Sequence, residues 1–501
     1  MKKFKAFAAV LAAAALAMGT VTATQAAGKT LTIGSVSTVV SYAADQGEYG
    51  NRVWFYQAVY DTLLKQKENG TLTAGIATKW TYNAAQTVLT LDLRSGVKFT
   101  DGTALDAAAV VANLKANKAN KGPTANYLDA MKSAVAKDAD TVVVTLSATD
   151  PAFLNYLANT AGLIASPKTI GKASAKTTPV GSGPYILDKT KTVSGSKYTY
   201  KANPDYWDKA NRKYDALVIK IYVDQTAAYN AVKSGAVQGV NIADPSKANS
   251  LKTAGLKVSN SYLDAKGIYF SDRSGKHDSC IAKKEVRQAI NMAFDRAAMR
   301  QSLEGGAGLI TTQYFPTTNP GYDKALDALY PYDITKAKAL MTKAGYANGC
   351  TITMPTFALY FTEAAYTIIN SQLAKIGVTV KEVAETPGTF IDNIIGNKYD
   401  AYLMQFERSG EPWQMINFMF APTATFNPDQ YNNPAVTKLM ADYKKATASK
   451  RPAILKALNK VIQDDAYYAI WYAKQASFVY KGITVKAAQT GNIVPFLYNI
   501  G

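Results

Sequence analysis

Polar and apolar residues alternate with a period of two in several short runs. Thr30-Leu31-Thr32-Ile33-Gly34 and Val88-Leu89-Thr90-Leu91-Asp92-Leu93 put every second side chain on one face, which predicts strands, the second ended by the turn Arg94-Ser95-Gly96. Val142 to Leu146 predicts another strand, broken by Asp150-Pro151, and the apolar run Leu217 to Val223 predicts a buried one. Helical stretches lie between them. Asp106 is an N-cap before the Ala-rich stretch Ala107 to Ala116, and the helix Gln225 to Ser234 stops at Gly235. The texture recurs at Ile352-Thr353-Met354, the helix Thr362 to Ile376 closed by Gly377, and the strand Val378 to Val383. A helix from Arg451 to Asp465 then precedes the aromatic segment Tyr467-Tyr468-Ala469-Ile470-Trp471-Tyr472. Strands alternating with helices predict an α/β protein. Ser166 to Pro184, rich in Pro, Gly, Ser and Thr, and the polar stretch Ser271 to Ser279 read as transit points between lobes.

The chain opens with Met1-Lys2-Lys3-Phe4-Lys5 and an apolar run from Ala6 to Met18, too short to span a bilayer but suited to a signal peptide. Small residues at Ala23, Thr24 and Ala26 place cleavage after Ala23 or Ala26, so residues 1–27 are expected to be removed. No cysteine lies near that point, so lipid anchoring is not expected, and a free periplasmic or secreted protein is.

About 470 mature residues exceed a single hydrophobic core and predict two or three domains. With 48% hydrophobic and 19% charged residues the chain is ordinary globular protein. Its 56 Lys+Arg against 37 Asp+Glu give a net charge of +19, but the lysines stand singly, as at Lys115, Lys118 and Lys121, without a basic cluster interleaved with aromatics. That is a solvated surface, and no nucleic acid partner is expected. Cys280 and Cys350 are the only cysteines. An oxidising compartment permits one disulfide between them, which the spacing alone does not show; they are expected to lie in the second lobe, close enough to pair.

The single histidine, His277, sits in the polar segment Lys276-His277-Asp278 without a Gly-x-Ser-x-Gly elbow, so it reads as an exposed loop residue and not as part of a catalytic triad. One histidine and two distant cysteines predict no metal site, and no cofactor is expected. No Gly-x-x-x-x-Gly-Lys-Ser/Thr loop is present, so any ATP-driven work belongs to other chains. A secreted hydrolase using a carboxylate pair such as Glu407 and Glu411 is the competing class.

Five blocks occur in order over some 240 residues: Val59-Tyr60-Asp61-Thr62-Leu63-Leu64; Leu89 to Gly102; Gly181-Ser182-Gly183-Pro184-Tyr185; Asn203-Pro204-Asp205-Tyr206-Trp207; and Val286 to Arg296. In these the chain resembles the peptide/nickel/opine type of extracellular solute-binding protein, family 5, of bacterial ABC importers. The resemblance implies a bilobal periplasmic-binding-protein fold, type II-like, with an extra subdomain in the N-terminal lobe. It places the N-terminal lobe at 28–58, 168–265 and 474–501, the extra subdomain at 59–167 and the C-terminal lobe at 266–473. Chain crossings are expected near 260–270 and 467–478, each lobe having its own sheet, with the segment after about 474 packed on the N-terminal lobe. It further implies a monomer that is not an enzyme and that delivers a small solute to permease transmembrane subunits served by separate ATPase subunits.

In dipeptide-binding members a strand ending in Met-Pro is followed by an arginine that grips the peptide carboxylate, and then by a tyrosine. Here the stretch is Met354-Pro355-Thr356-Phe357-Ala358-Leu359-Tyr360, which keeps Tyr360 but has Ala358 at the arginine position. An aspartate for the peptide ammonium precedes an Asp-Pro pair in similar proteins. Aligning Glu411-Pro412 on that pair puts Arg408 at the acid position with Glu407 beside it, so either could face the ligand. The candidate ligand-binding residues are therefore Tyr269, Phe270, Phe357, Tyr360, Phe406, Glu407, Arg408, Glu411 and Trp413, with about half of the local aromatics, Phe361 included, expected in the core. An oligopeptide or modified peptide is the expected ligand; an oligosaccharide, opine-like acid or metal chelate is the alternative.

Overall fold

The computed structural model describes residues 28–501 except 121, 123–124, 359–360, 387, 409–410 and 487–491. The leader with its cleavage points, and Tyr360, lie outside the described residues. The strand Thr30–Ser35 buries Leu31 and Ile33 completely and pairs in parallel with Ala216–Ile221 and Gly239–Ile242. The helix Gln225–Ser234 makes the crossover, capped by Asp224, which accepts from the Ala227 N–H at 2.7 Å. That cap is why the strand expected to reach Val223 stops at Ile221: the chain must leave the sheet to present Asp224, and Val223 is exposed.

Two long strands, Lys257–Phe270 and Tyr468–Tyr480, run antiparallel along almost their whole length. Tyr468–Tyr480 pairs at one end with Gly239–Ile242, and Lys257–Phe270 pairs at the other with Ala401–Glu407. The sheet therefore runs in the order 401–407, 257–270, 468–480, 239–242, 30–35, 216–221, 197–202, 185–187, with Leu309–Ile310 added beside 468–480. This corrects the expectation of separate sheets, because the crossing segments are themselves strands and carry the ladder from one lobe into the other. The ladder is irregular between Ser261 and Asp264, where Tyr262 and Leu263 have no partner in the register, and again between Lys266 and Gly267. Gly267 is required there: a Cβ would come within 2.5 Å of the Ala469 carbonyl oxygen.

Residues 63–164 enclose a core of their own between a four-stranded antiparallel sheet, in the order 77–82, 88–93, 141–146, 131–136, and the helix Ala107–Ala119. Asp106 caps that helix through the Ala109 N–H at 2.8 Å. Three of the sequence blocks meet at its base. The buried Asp61 carboxylate accepts from Ser182 Oγ at 2.9 Å, Tyr206 OH at 3.2 Å and Trp207 Nε1 at 2.9 Å.

On the other side, Cys350–Thr356 pairs in parallel with Val378–Ala384; the intervening helix Glu363–Ala374 is capped by Lys375, not by Gly377 as expected, and Gly377 takes φ +81° in the turn that leads into the second strand. Cys280 and Cys350 are disulfide-bonded, with Cα atoms 6.5 Å apart. Arg287 is buried and donates to Asp465 Oδ1 at 2.7 Å and to the Ile281 carbonyl at 2.9 Å, tying the helix Lys284–Ala293 to the end of Arg451–Asp464. The last residues return to the first: Trp54 Nε1 donates to the Pro495 carbonyl at 2.7 Å, and Val494, Phe496 and Ile500 share a core with Trp54 and Phe55.

Candidate functional site

A cavity of about 570 Å3 opens where the two lobes face each other. Its floor on one side is the end of Ala401–Glu407 and the helix Pro412–Met419; facing them are residues 48–50, Gln66 and Asn492, with Asn126, Tyr127, Asn155, Tyr156 and Asn159 from the 63–164 unit. Gln414 Nε2 donates to Tyr127 OH at 3.1 Å, a direct bond across the opening. Tyr127 stacks on Tyr156 with ring centroids 4.5 Å apart, so the upper wall presents a paired aromatic surface flanked by amides. A second cavity of about 590 Å3 involves only 40–60, the helix Ala107–Ala119 with Asn120, and 163–176, so it touches one side of the molecule alone.

The alternation of a strand decides the Glu407/Arg408 question. Phe406 and Arg408 point inward, and Glu407 points into the cavity. Arg408 is 1% exposed; its Nε donates to the Leu263 carbonyl at 3.0 Å, one terminal nitrogen to the Gln313 carbonyl at 3.3 Å and the other to the Tyr262 carbonyl. It thus satisfies the Tyr262 and Leu263 carbonyls at the ladder irregularity and a third from Gln313, and burial lowers its pKa from the ordinary guanidinium value.

Glu407 lies opposite Asp264 in the register. Its side chain is exposed toward the cleft, and desolvation by the enclosing protein, with the Asp264 charge, pushes its carboxyl up to about 7. Glu411 is buried, caps the helix Pro412–Met419 through the Gln414 N–H, and is also pushed up to about 7, chiefly by burial. Among the described lining residues there are three glutamates, Glu48, Glu407 and Glu411, and no lysine or arginine. Glu48 is paired with Arg52 at 2.7 Å. The cavity therefore offers carboxylates for a cation, amides and hydroxyls for neutral polar groups, and no fixed cation for a carboxylate.

Of the described candidate residues, the structure brings only Glu407 and Glu411 to the cavity. Arg408 is withdrawn for the reason given. Tyr269, Phe270, Phe357, Phe406 and Trp413 are all buried: Tyr269 packs on Tyr402 and Phe406, Phe357 on Phe390, and Trp413 stacks on Tyr443 at 5.9 Å. Phe361 is buried too, so the local aromatics build the core beneath the cleft and not its surface. Ala358 is exposed and offers no side-chain donor. Tyr49, Tyr127, Tyr156, Tyr314 and Phe418 line the cavity instead. The sequence reading missed them; the one available signal was the recurring amide-aromatic pair, Asn126-Tyr127, Asn155-Tyr156 and Asn417-Phe418.

No helix among the described residues is long and apolar enough to cross a membrane. Residues 71–427 match the bacterial extracellular solute-binding proteins, family 5, middle region. The chain is 28% identical over 347 residues to di/tripeptide-binding protein 1 of Pseudomonas aeruginosa, a match spanning 65% of this chain and 63% of that relative's own length. It is 27% identical over 431 residues to the glutathione-binding protein GsiB of Escherichia coli K12, covering 82% of this chain and 80% of that one. The fold also matches the periplasmic binding protein DppA of Helicobacter pylori, solved with the peptide STSA, at a TM-score of 0.75 and 21% identity over 94% of this chain and 97% of the other. Its two α/β lobes, the cleft between them and the match over most of its length lead to one conclusion: the chain belongs to the bacterial extracellular solute-binding proteins, family 5.

Proposed function

We propose that this protein is the ligand-capturing component of an ABC importer, taking up an oligopeptide or modified peptide between its lobes and delivering it to permease subunits driven by separate ATPase subunits. The observation that carries this reading is the 570 Å3 cavity lined from both lobes, within the ~300–1,000 Å3 usual for small-ligand sites. The names of the relatives support the peptide class. In this reading the protein binds and does not catalyse, works as a monomer outside the cytoplasm after loss of residues 1–27, and divides into lobes at 28–58, 168–265 and 474–501 against 266–473. The separate core of residues 63–164 supports an extra subdomain at 59–167.

Glu407 would hold an ammonium or guanidinium group, and Asn126, Asn155, Asn159 and Asn417 would hold main-chain amides. Without a cation among the described lining residues, a free carboxylate has no counter-charge there, so C-terminally blocked or longer peptides should bind better than free dipeptides. Thermal-shift screening and calorimetry with free dipeptides, their C-terminal amides, longer peptides, sugars and opine-like acids test this. A ligand at 100 times its Kd adds about 2.7 kcal/mol of stability. Amides or longer peptides should shift the melting temperature where millimolar dipeptides do not. A strong shift with free dipeptides sinks the charge argument, and shifts confined to sugars or opine-like acids sink the peptide class.

A further inference from the structure

Away from the cleft, Asp272, His277 and Asp400 each bring one ligand atom within 4.8 Å of the others. Asp400, just before Ala401–Glu407, is fixed by the Thr353 N–H on Oδ2 at 2.7 Å, and its carbonyl accepts from the Ser271 and Asp272 N–H groups at 2.9 and 3.1 Å. Asp272 is completely buried. Its Oδ2 accepts from the His277 and Ser279 N–H groups at 3.2 and 3.4 Å, whereas its buried Oδ1 has no hydrogen-bond partner among the described residues. An unpaired buried carboxylate oxygen is costly, so its persistence calls for a positive partner.

The imidazole supplies a second, independent sign. His277 Nε2 lies 2.8 Å from the Asn397 carbonyl oxygen, which only accepts, so Nε2 carries the hydrogen. Nδ1 lies 3.0 Å from Asp400 Oδ1, also an acceptor, so a proton or a cation must stand between two lone pairs that would otherwise repel. A proton would serve that pair and leave Asp272 Oδ1 bare. A divalent cation would serve that pair and take an Asp272 carboxylate oxygen as its third ligand. Atoms bound about 2.0–2.1 Å from one tetrahedral ion stand roughly 3.3 Å apart, close to the spacing of Nδ1 and Asp400 Oδ1. Metal-bound histidines typically give their other N–H to a carbonyl or carboxylate, as Nε2 does to Asn397.

We propose that Asp272 Oδ1, His277 Nδ1 and Asp400 Oδ1 bind a divalent transition-metal ion of the zinc type, clipping the 271–279 loop to the root of Ala401–Glu407 beside the Cys280–Cys350 disulfide. One imidazole with two carboxylates suits a borderline ion such as Zn2+ better than Ca2+ or Mg2+, which prefer all-oxygen shells. The sequence predicts no metal because it has neither several histidines nor cysteines at short spacing; here one ligand lies more than a hundred residues from the other two. The site is independent of the cleft and of the transported solute.

The chain's single histidine makes the test direct. Untagged, 15N-labelled protein, stripped with EDTA, is titrated with Zn2+ alone while the imidazole nitrogens are followed by NMR and heat by calorimetry. The expected result is one Zn2+ per chain, a shift of Nδ1 that saturates at stoichiometry, and Nε2 still protonated. Affinity should fall by about tenfold or more, the least expected for loss of a group supporting a metal site, in both Asp272→Asn and the surface variant His277→Ala, and stay unchanged in Glu407→Gln. No stoichiometric binding below millimolar Zn2+, an imidazole indifferent to bound Zn2+, or undiminished affinity in folded His277→Ala overturns the proposal.

Discussion

Replacing Arg408 by alanine should cost stability and leave ligand recognition nearly intact. The guanidinium is buried and bonded to the carbonyls of Tyr262, Leu263 and Gln313. Leu263 would keep the Arg408 backbone N–H at 2.8 Å, but the Tyr262 and Gln313 carbonyls would lose the bonds it provides. At about 1–3 kcal/mol for each of the two carbonyls left unsatisfied, the change amounts to about 2–6 kcal/mol before the lost packing of the stem is added. Because the two lobes share the strands 257–270 and 468–480, the whole chain is treated as one cooperative unit. At about 2.1 cal/mol/K per residue, about 470 residues have an unfolding entropy near 1 kcal/mol/K, so the melting temperature should drop by about 2–6 °C. Lysine in place of arginine should recover only part of this, since it lacks the planar fork. Scanning calorimetry measures the drop and titration calorimetry the affinity. A variant that melts within about 1 °C of the parent yet binds ligand more than about tenfold differently would place the guanidinium in the cleft and refute the reasoning.

The neighbouring Glu411 should set a pH dependence: its folded pKa of about 7 lies above the unfolded 4.5, so the folded state holds the proton more tightly. Its stabilisation is full below about 4.5 and is lost as pH rises through 7, by about 3 kcal/mol for the shift, so Glu411→Gln should lessen the fall in melting temperature between pH 5 and 8, the remainder coming from Glu407. Asp61→Ala should strand the donors of Ser182, Tyr206 and Trp207 and lower the guanidinium chloride midpoint by the equivalent of about 2–4 kcal/mol, with the slope unchanged. Reducing the Cys280–Cys350 bond reopens a 70-residue loop, and dithiothreitol should therefore cost up to about 4 kcal/mol in the same assay without changing ligand affinity.

Local chemistry was legible where one residue decides one end of an element. Asp106 starts its helix and Gly235 ends its own where the side chain, or the lack of one, dictates. The length of the crossing strands was not legible. Lys257–Phe270 contains Ser259, Asn260, Ser261, Asp264 and Lys266 without clean alternation, because its neighbours change from one lobe to the other along its length. At the site, alternation along 406–408 would have separated Glu407 from Arg408 from sequence alone, had that stretch been read as strand. The amide and tyrosine wall was illegible because short helices and loops such as Ala125–Leu128 and Phe153–Leu157 carry no period to mark a face. The aromatics near the loop misled for a general reason: a large ring beside a sheet gains most by entering the core.

The shared strands also have a consequence for the order in which the chain can fold. Gly239–Ile242 has its outer neighbour in Tyr468–Tyr480, more than two hundred residues later, and Trp54 and Phe55 await Val494, Phe496 and Ile500. The half of the molecule made first is thus the half completed last. Until the final residues arrive it has an open sheet edge and a core missing one wall, a state held together by non-local contacts that form slowly. Folding of this protein is therefore gated by its C-terminal segment, and a chain cut short before residue 468 should lose not one lobe but both.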